Sequence, residues 1–224
     1  DGWEDLFIAS YLADQAEVPD HVFRNVRGAF VDVTPPVILA KGASHGAAWA
    51  DYQRHLEIRG ERSGPRLTFL EDRLEFMSPS RFHENKKSGI GRLVEVWCLE
   101  KAIPFNAYGS WTLENKAAGR GLEPDECYVF GRVEAPERPD LAIEVVWSSG
   151  GIDKLAVYRK LLVREVWIWK GGRIQPYALE GEDFVPIEGS RVLPGLDLDQ
   201  LASFLDHPTL SDAIIEYRAA LRKG

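Results

Sequence analysis

The strongest constraint on the fold is a short apolar run, Pro139 to Trp147, that carries one acidic side chain near its centre. Branched and aromatic residues dominate the run, and Ser148-Ser149-Gly150-Gly151 ends it, so the pattern predicts a central β-strand. Glu144 lies inside this strand, where its neighbours should pack away from water on both faces. A buried carboxylate destabilises a fold unless it is paired. Glu144 therefore needs a metal ion, a cation or a shared proton.

The composition of the chain predicts one soluble globular domain. The 224 residues contain no apolar run long enough to cross a membrane. Acidic residues outnumber basic ones by 35 to 27, for a net charge of −8, which disfavours a protein that coats nucleic acid. The charge does not exclude a nuclease, because clustered carboxylates that hold metal ions also make a chain acidic. Cys98 and Cys127 lack paired metal-ligand spacing and are expected to be buried free thiols, which fits a cytoplasmic location.

The order of the predicted elements indicates the α/β class, with one mixed central sheet and helical extensions at both ends. We expect an N-terminal helical extension at residues 1–45, a core at 46–190 and a C-terminal helical extension of the same domain at 191–224. The predicted helices cover 3–17, 47–59, 82–101, 152–162 and 210–222, and the predicted strands cover 67–70, 74–77, 104–108, 110–114, 122–130, 140–147, 164–170 and 173–179.

Three residues could together build a metal-dependent site. Asp125 follows Pro124 on a predicted strand, Glu144 comes nineteen positions later, and Lys154 comes ten positions after that. Carboxylates from adjacent strands can bind Mg²⁺ through oxygen, and the metal can then polarise a phosphate and activate a bound water. A nearby lysine could orient that water or stabilise developing negative charge. Simpler roles stay open: a turn residue at Asp125, a core ion pair at Glu144, and a solvated helix residue at Lys154.

Four segments of the chain resemble the Uma-two family of restriction endonucleases, within the PD-(D/E)XK nuclease superfamily. The similarity covers roughly residues 49–179. The segments are Leu74-Glu-Phe-Met-Ser-Pro-Ser80 with His83-Glu84, Glu123-Pro-Asp-Glu-Cys-Tyr128, Pro139-Asp-Leu-Ala-Ile-Glu-Val-Val146, and Asp153-Lys-Leu-Ala-Val-Tyr158 leading into Val163-Arg-Glu-Val-Trp-Ile-Trp169.

The resemblance implies a restriction-endonuclease-like fold that hydrolyses DNA with Mg²⁺ or Mn²⁺. Asp125 and Glu144 would be metal ligands, and Glu84 would supply the extra acid that many superfamily members take from their first helix. The superfamily pattern places a lysine two residues after the second acid, but Val146 stands there. The resemblance implies that Lys154, on the next helix, takes that role.

Helix geometry separates His83, which matches the family's histidine, from Glu84. His83 lies seven residues before Ile90 and so shares the apolar face of the predicted helix. Glu84 is turned about 100° further round, toward the flank. His83 is therefore better placed to reach the sheet. The simpler roles are a hydrogen-bonded core histidine for His83 and a first-turn acid favoured by the helix dipole for Glu84.

Two other functions remain alternatives at this stage. A catalytically inactive nuclease-fold protein that binds or scaffolds would explain the acidic charge and Val146. A two-carboxylate glycosidase is disfavoured because it does not need Lys154. The apolar stripe between Leu210 and Leu221 could bury against a second copy in a homodimer, although packing within the chain is favoured.

Overall fold

The computed structural model describes residues 49–60, 65–77, 80–146 and 151–223, together with three short strands nearer the N-terminus. The chain divides into two compact units. The first contains Asp1–Phe82, Thr112–Glu123 and Ser148–Leu161, and the second contains His83–Trp111, Pro124–Trp147 and Leu162–Gly224.

The described part of the chain forms thirteen strands and five α-helices. The strands are β1 Leu6–Ala9, β2 His21–Val26, β3 Ala29–Asp32, β4 Arg66–Leu70, β5 Arg73–Met77, β6 Phe105–Ala107, β7 Leu113–Asn115, β8 Arg120–Leu122, β9 Glu126–Phe130, β10 Leu141–Val145, β11 Glu165–Lys170, β12 Arg173–Glu180 and β13 Asp183–Pro186. The helices are α1 Trp49–Arg59, α2 Arg81–Glu100, α3 Lys154–Tyr158, α4 Leu198–Ser203 and α5 Leu210–Leu221.

The first unit is built on an antiparallel sheet with the strand order β3-β2-β1-β5-β4-β8-β7. Strands β4 and β5 form a hairpin in which Thr68 lies opposite Glu75. Tyr52 of α1 is fully buried against Phe69 of β4, and its ring lies where a side chain on Gly121 of β8 would stand. Because the whole of β4 is buried, this strand is the centre of the unit's core.

The second unit is built on a mixed sheet with the strand order β13-β12-β11-β10-β9-β6. Strands β10 and β11 run parallel, and the other neighbouring pairs are antiparallel. All five residues of β10 are buried, as expected for a strand covered on both faces. Helix α2 packs on β9, where Gly91 leaves room for the ring of Tyr128, whose hydroxyl would lie 2.8 Å from a Cβ at that glycine.

The C-terminal helix packs inside the second unit. Tyr217 of α5 is fully buried and lies against Phe204, with ring centroids 5.2 Å apart. The favoured interpretation of the apolar stripe, packing within the chain, is therefore supported at Tyr217. None of the described helices is both long enough and apolar enough to span a membrane.

The predicted α/β class is confirmed, as are the β4–β5 hairpin, the long helix α2 and the C-terminal helix α5. The described strands form two sheets, whereas the sequence predicts one. The predicted strand over 122–130 is divided into β8 and β9, because Pro124 has no N–H to donate to a ladder. The predicted helix over 152–162 is shorter, since α3 covers only Lys154–Tyr158, and strand β13 was not predicted.

The helix predicted over residues 3–17 is wrong at Leu6–Ala9, which forms strand β1. This strand pairs with β2 on one side and β5 on the other. Those ladders outweigh the helical spacing of Trp3, Phe7 and Tyr11 on which the prediction rested. The remaining residues of that predicted helix, and residues 147–150 at the end of the central strand, lie outside the described residues.

Candidate functional site

Two buried carboxylates lie side by side in the second unit. Asp125 comes immediately before β9 and is 1 % exposed, and Glu144 lies within β10 and is 2 % exposed. The antiparallel register pairs Ile143 with Glu126, so one further step places Asp125 opposite Glu144. Asp125 Oδ2 also accepts a hydrogen bond of 2.6 Å from the backbone N–H of Val145. The sheet therefore brings together the two acids that the sequence singled out.

An imidazole contacts this acid pair. His83 lies in the first turn of α2 and is 4 % exposed, and its Nε2 is 3.0 Å from Asp125 Oδ2. The prediction that His83 would face the sheet is confirmed. The two side chains are thus within ion-pair distance, and the packed imidazole limits the orientations open to the Asp125 carboxylate.

Glu84 takes the position on the helix flank that its helical angle predicts. Its side chain is 41 % exposed and pairs with Lys87 Nζ at 3.1 Å, one turn further along α2. Its other oxygen lies 3.8 Å from His83 Nδ1. Glu84 is thus linked to the buried pair through His83, while its contact with Lys87 holds it at the surface.

Lys154 belongs to the first unit, where it is the first residue of α3. Its Nζ donates a hydrogen bond of 2.5 Å to Thr68 Oγ1 on β4 and lies 3.9 Å from Glu75 Oε1 on β5. The Lys154 side chain is 13 % exposed. The simpler possibility of a solvated helix residue is therefore wrong, because Lys154 is held against the sheet.

Two further buried acids, both in the first unit, were not assigned a role from the sequence. Glu75 is 5 % exposed on β5 and contacts Lys154, as described above. Glu123 is 4 % exposed and accepts hydrogen bonds from both terminal nitrogens of Arg59, from the backbone N–H of Leu67 and from Thr112 Oγ1. An acid inside an apolar run marks Glu75, as it marks Glu144, so this signal was present in the sequence. Glu123 is saturated by structural partners.

The Cys127 thiol, on β9, is protonated at neutral pH. Burial raises the pKa of Cys127 to about 12, and the carboxylates of Glu126 and Glu144 add to the rise. Burial likewise raises the pKa of Cys98 to about 12. Both cysteines are free and buried, as predicted. Because a metal-binding or nucleophilic cysteine acts as a thiolate, Cys127 is a packing residue in this sheet.

The donor set at Asp125 and Glu144 fits a hard cation. Both are carboxylates, the oxygen ligands that Mg²⁺ prefers, and Mg²⁺ is commonly held by one or two carboxylates with water completing the shell. No cluster of three or more His, Cys, Asp or Glu side chains suited to a metal occurs among the residues that the structure describes. If a cation binds there, its protein ligands would be the two buried acids, and His83 lies next to one of them.

The fold and the buried acids define a mixed α/β protein of the restriction-endonuclease-like class. A family model independently matches residues 49–206, which is most of the chain, and its description is "Putative restriction endonuclease". The chain belongs to this family, Uma2. The match extends the resemblance seen in the sequence through α4. No curated protein matches the chain.

Proposed function

We propose that the protein is a metal-dependent endonuclease that hydrolyses phosphodiester bonds in DNA, with Mg²⁺ or Mn²⁺ held by Asp125 and Glu144. The observation that carries the proposal is the alignment of these two buried carboxylates on neighbouring strands, with His83 3.0 Å from one of them. Two buried carboxylates that lie opposite each other repel, and a cation bound to both would stabilise the pair.

When bound, the metal would polarise the scissile phosphate and lower the pKa of a coordinated water. Asp125 and Glu144 would hold it, and His83 would keep the Asp125 carboxylate in one orientation. Glu84 is exposed and linked to His83, so its proposed part is to assist from the flank. Lys154 enters the proposal through the family resemblance, as the positive charge that positions the water or stabilises the phosphate.

Cleavage of supercoiled plasmid DNA, with Mg²⁺ or Mn²⁺ over a range of salt concentrations, tests the proposal. Asp125→Asn and Glu144→Gln should each lower the rate by at least about a hundredfold, since several kcal/mol of charge stabilisation depends on the metal. The matched control is Glu165→Gln. Glu165 is a buried acid of the same sheet that accepts hydrogen bonds from Trp167 and from the backbone N–H groups of Arg191 and Val192. This variant should keep cutting. A wild-type protein that cuts neither DNA nor RNA would contradict the proposal.

A second candidate is a nuclease-fold protein that binds or scaffolds without cutting. Val146 in the place of the superfamily lysine favours it, as does the net charge of −8. Titration of the wild-type protein with Mn²⁺ in a calorimeter separates the two functions. A scaffold has no need of a divalent cation at Asp125 and Glu144, whereas the endonuclease does.

Location and assembly also belong to the proposal. Two free, buried cysteines suit the reducing cytoplasm, where we place the protein. A homodimer is the proposed assembly. Ile215, on α5, is 65 % exposed and offers apolar surface for a second copy. Sedimentation of the wild-type protein and of Ile215→Glu would show whether α5 forms such an interface.

A further inference from the structure

Glu75 differs from Glu123, another buried acid of the first unit, in what it contacts. Its Oε2 accepts a hydrogen bond of 2.7 Å from the backbone N–H of Ile152, and its Oε1 lies 3.9 Å from Lys154 Nζ. Both partners lie at the start of α3. Glu123 of the same unit is instead saturated by Arg59, Thr112 and a backbone N–H of β4. These contacts of the Glu75 carboxylate are thus with the short segment that carries Lys154.

The opposite strand supplies the second contact of the lysine. Thr68 and Glu75 are directly paired in the β4–β5 ladder, so their side chains lie on the same face of the sheet. Lys154 Nζ donates to Thr68 Oγ1 at 2.5 Å. The ammonium group is therefore held by a hydroxyl on one strand and a carboxylate on its neighbour. A long, flexible side chain fixed in this way loses most of its rotamer freedom when the protein folds.

The chain before α3 is also shaped around this carboxylate. A Cβ at Gly151 would lie 2.9 Å from Glu75 Oε2, closer than real Cβ contacts allow. Gly151 therefore lets the backbone approach the carboxylate, and the N–H of Ile152 can then donate to it. The side chain of Asp153 caps the helix by accepting from the N–H of Leu155. Gly151, Ile152 and Lys154 thus all approach one buried acid.

We propose that Glu75, together with Thr68, is a positioning residue that holds the ammonium group of Lys154 in one place for the phosphodiester reaction. This inference rests on the proposed function for its catalytic consequence. The positioning itself is a property of the first unit and can be measured without catalysis. A lysine that must meet a phosphate or a water within hydrogen-bond distance gains from such fixing, because a misplacement of about 1 Å can lower a rate by about a hundredfold.

Acylation of the lysine amines, followed by mass spectrometry, measures the positioning directly. Lys154 should react slowly in the wild-type protein and faster in Glu75→Gln and in Thr68→Val, because its amine must leave both partners to react. The exposed Lys101 is the internal standard. Glu123→Gln is the matched control for neutralising a buried acid, and it should leave the reactivity of Lys154 unchanged. Equal reactivity of Lys154 in wild type, Glu75→Gln and Thr68→Val would overturn the proposal.

A double-mutant cycle on DNA cleavage then separates positioning from general structural support. Glu75→Gln should lower the single-turnover rate by about tenfold in the wild-type background, a fraction of the effect of misplacing a catalytic group. The same substitution should have no further effect on Lys154→Ala. Equal losses in both backgrounds would show that Glu75 acts on the fold and would overturn the proposal. If the wild-type protein cuts nothing, the proposed endonuclease function fails, and the acylation rates alone decide whether Glu75 positions Lys154.

Discussion

His83 Nε2 lies 3.0 Å from Oδ2 of Asp125, and both side chains are almost fully buried. Oδ2 also accepts the N–H of Val145, so this oxygen is held from two directions. The contact gives Asp125 a defined orientation next to Glu144. Asp125 would need a defined orientation in order to bind a metal ion together with Glu144.

Replacing His83 should weaken metal binding without abolishing it. His83→Ala removes the imidazole that orients Asp125, and the loss of such a supporting group typically lowers metal affinity by about 10- to 100-fold. Calorimetric titration with Mn²⁺ measures the change. The control is His207→Ala, because His207 pairs with Glu216 on an exposed surface. Identical affinities in His83→Ala and wild type would show that the imidazole plays no part in holding the ligand.

Adding a methyl group at Gly151 should destabilise the protein. The new Cβ would lie 2.9 Å from Glu75 Oε2, so the carboxylate or the chain must move. We expect Gly151→Ala to lower the free energy of unfolding by about 1–3 kcal/mol, the usual range for overpacking. Urea denaturation measures it. Nothing lies within 4 Å of a Cβ at Gly189, so Gly189→Ala should be tolerated. An unchanged free energy of unfolding in Gly151→Ala would contradict the close approach of the Gly151 backbone to the Glu75 carboxylate.

Breaking the Arg59–Glu123 pair should be one of the more damaging substitutions in the first unit. Arg59→Met leaves a buried carboxylate with only Leu67 N–H and Thr112 as donors. Removing one partner of a buried pair costs about 3–5 kcal/mol, and the partial exposure of Arg59 places this variant toward the lower end. Urea denaturation is again the measurement. Arg92→Met, which breaks an exposed pair with Glu95, should have little effect. Similar midpoints for the two variants would refute the expectation.

The stability of the protein should depend on pH through Glu100, which pairs with Arg218 and Arg222 of the C-terminal segment. Hydrogen bonds from Arg222 and Arg218 lower the pKa of Glu100 from 4.5 to about 2. A carboxyl group whose pKa is lower in the folded state stabilises the fold fully above its unfolded pKa. That stability is lost as the pH falls through the folded pKa. Glu100→Gln should therefore lower Tm at pH 7, and the difference from wild type should shrink between pH 4.5 and pH 2. A Tm difference between wild type and Glu100→Gln that stays constant from pH 4.5 to pH 2 would contradict the stabilising contacts of Glu100 with the two arginines.

The two cysteines should be unreactive in the folded protein. Burial raises the pKa of both thiols to about 12, so neither forms a thiolate at pH 8. Ellman's reagent should modify them only after denaturation, and at a rate that follows unfolding. Fast modification of either Cys98 or Cys127 in native buffer would contradict their placement in the core.

The sequence was sufficient to predict which way His83 and Glu84 face and that Asp125 and Glu144 belong to neighbouring strands. Alternation along a strand and the 3.6-residue helical repeat place side chains on faces, and this placed His83 toward the sheet and Glu84 on the flank. The pairing of Asp125 with Glu144 needed only two neighbouring strands. The surroundings of these two carboxylates, including the N–H of Val145, depend on tertiary packing, which the periodicity of the sequence does not describe.

The first-unit contacts could not be predicted in the same way. Glu75 meets Ile152 and Lys154 across more than seventy positions of chain. Such a contact depends on how distant segments pair. The strand at Leu6–Ala9 has a similar origin, because its ladder with β5 joins it to residues far along the chain. The aromatic spacing near the N-terminus is a weaker determinant than those ladders, and the helix prediction there was wrong.

The central claim is that Asp125 and Glu144 bind one divalent cation together. Calorimetric titration of Mn²⁺ into wild type, Asp125→Asn and Glu144→Gln tests it most directly, with circular dichroism confirming that all three are folded. We predict one site per chain in the wild-type protein and loss of that site in both variants. Binding that survives unchanged in either variant, or a folded wild-type protein that binds no Mn²⁺, would contradict the claim.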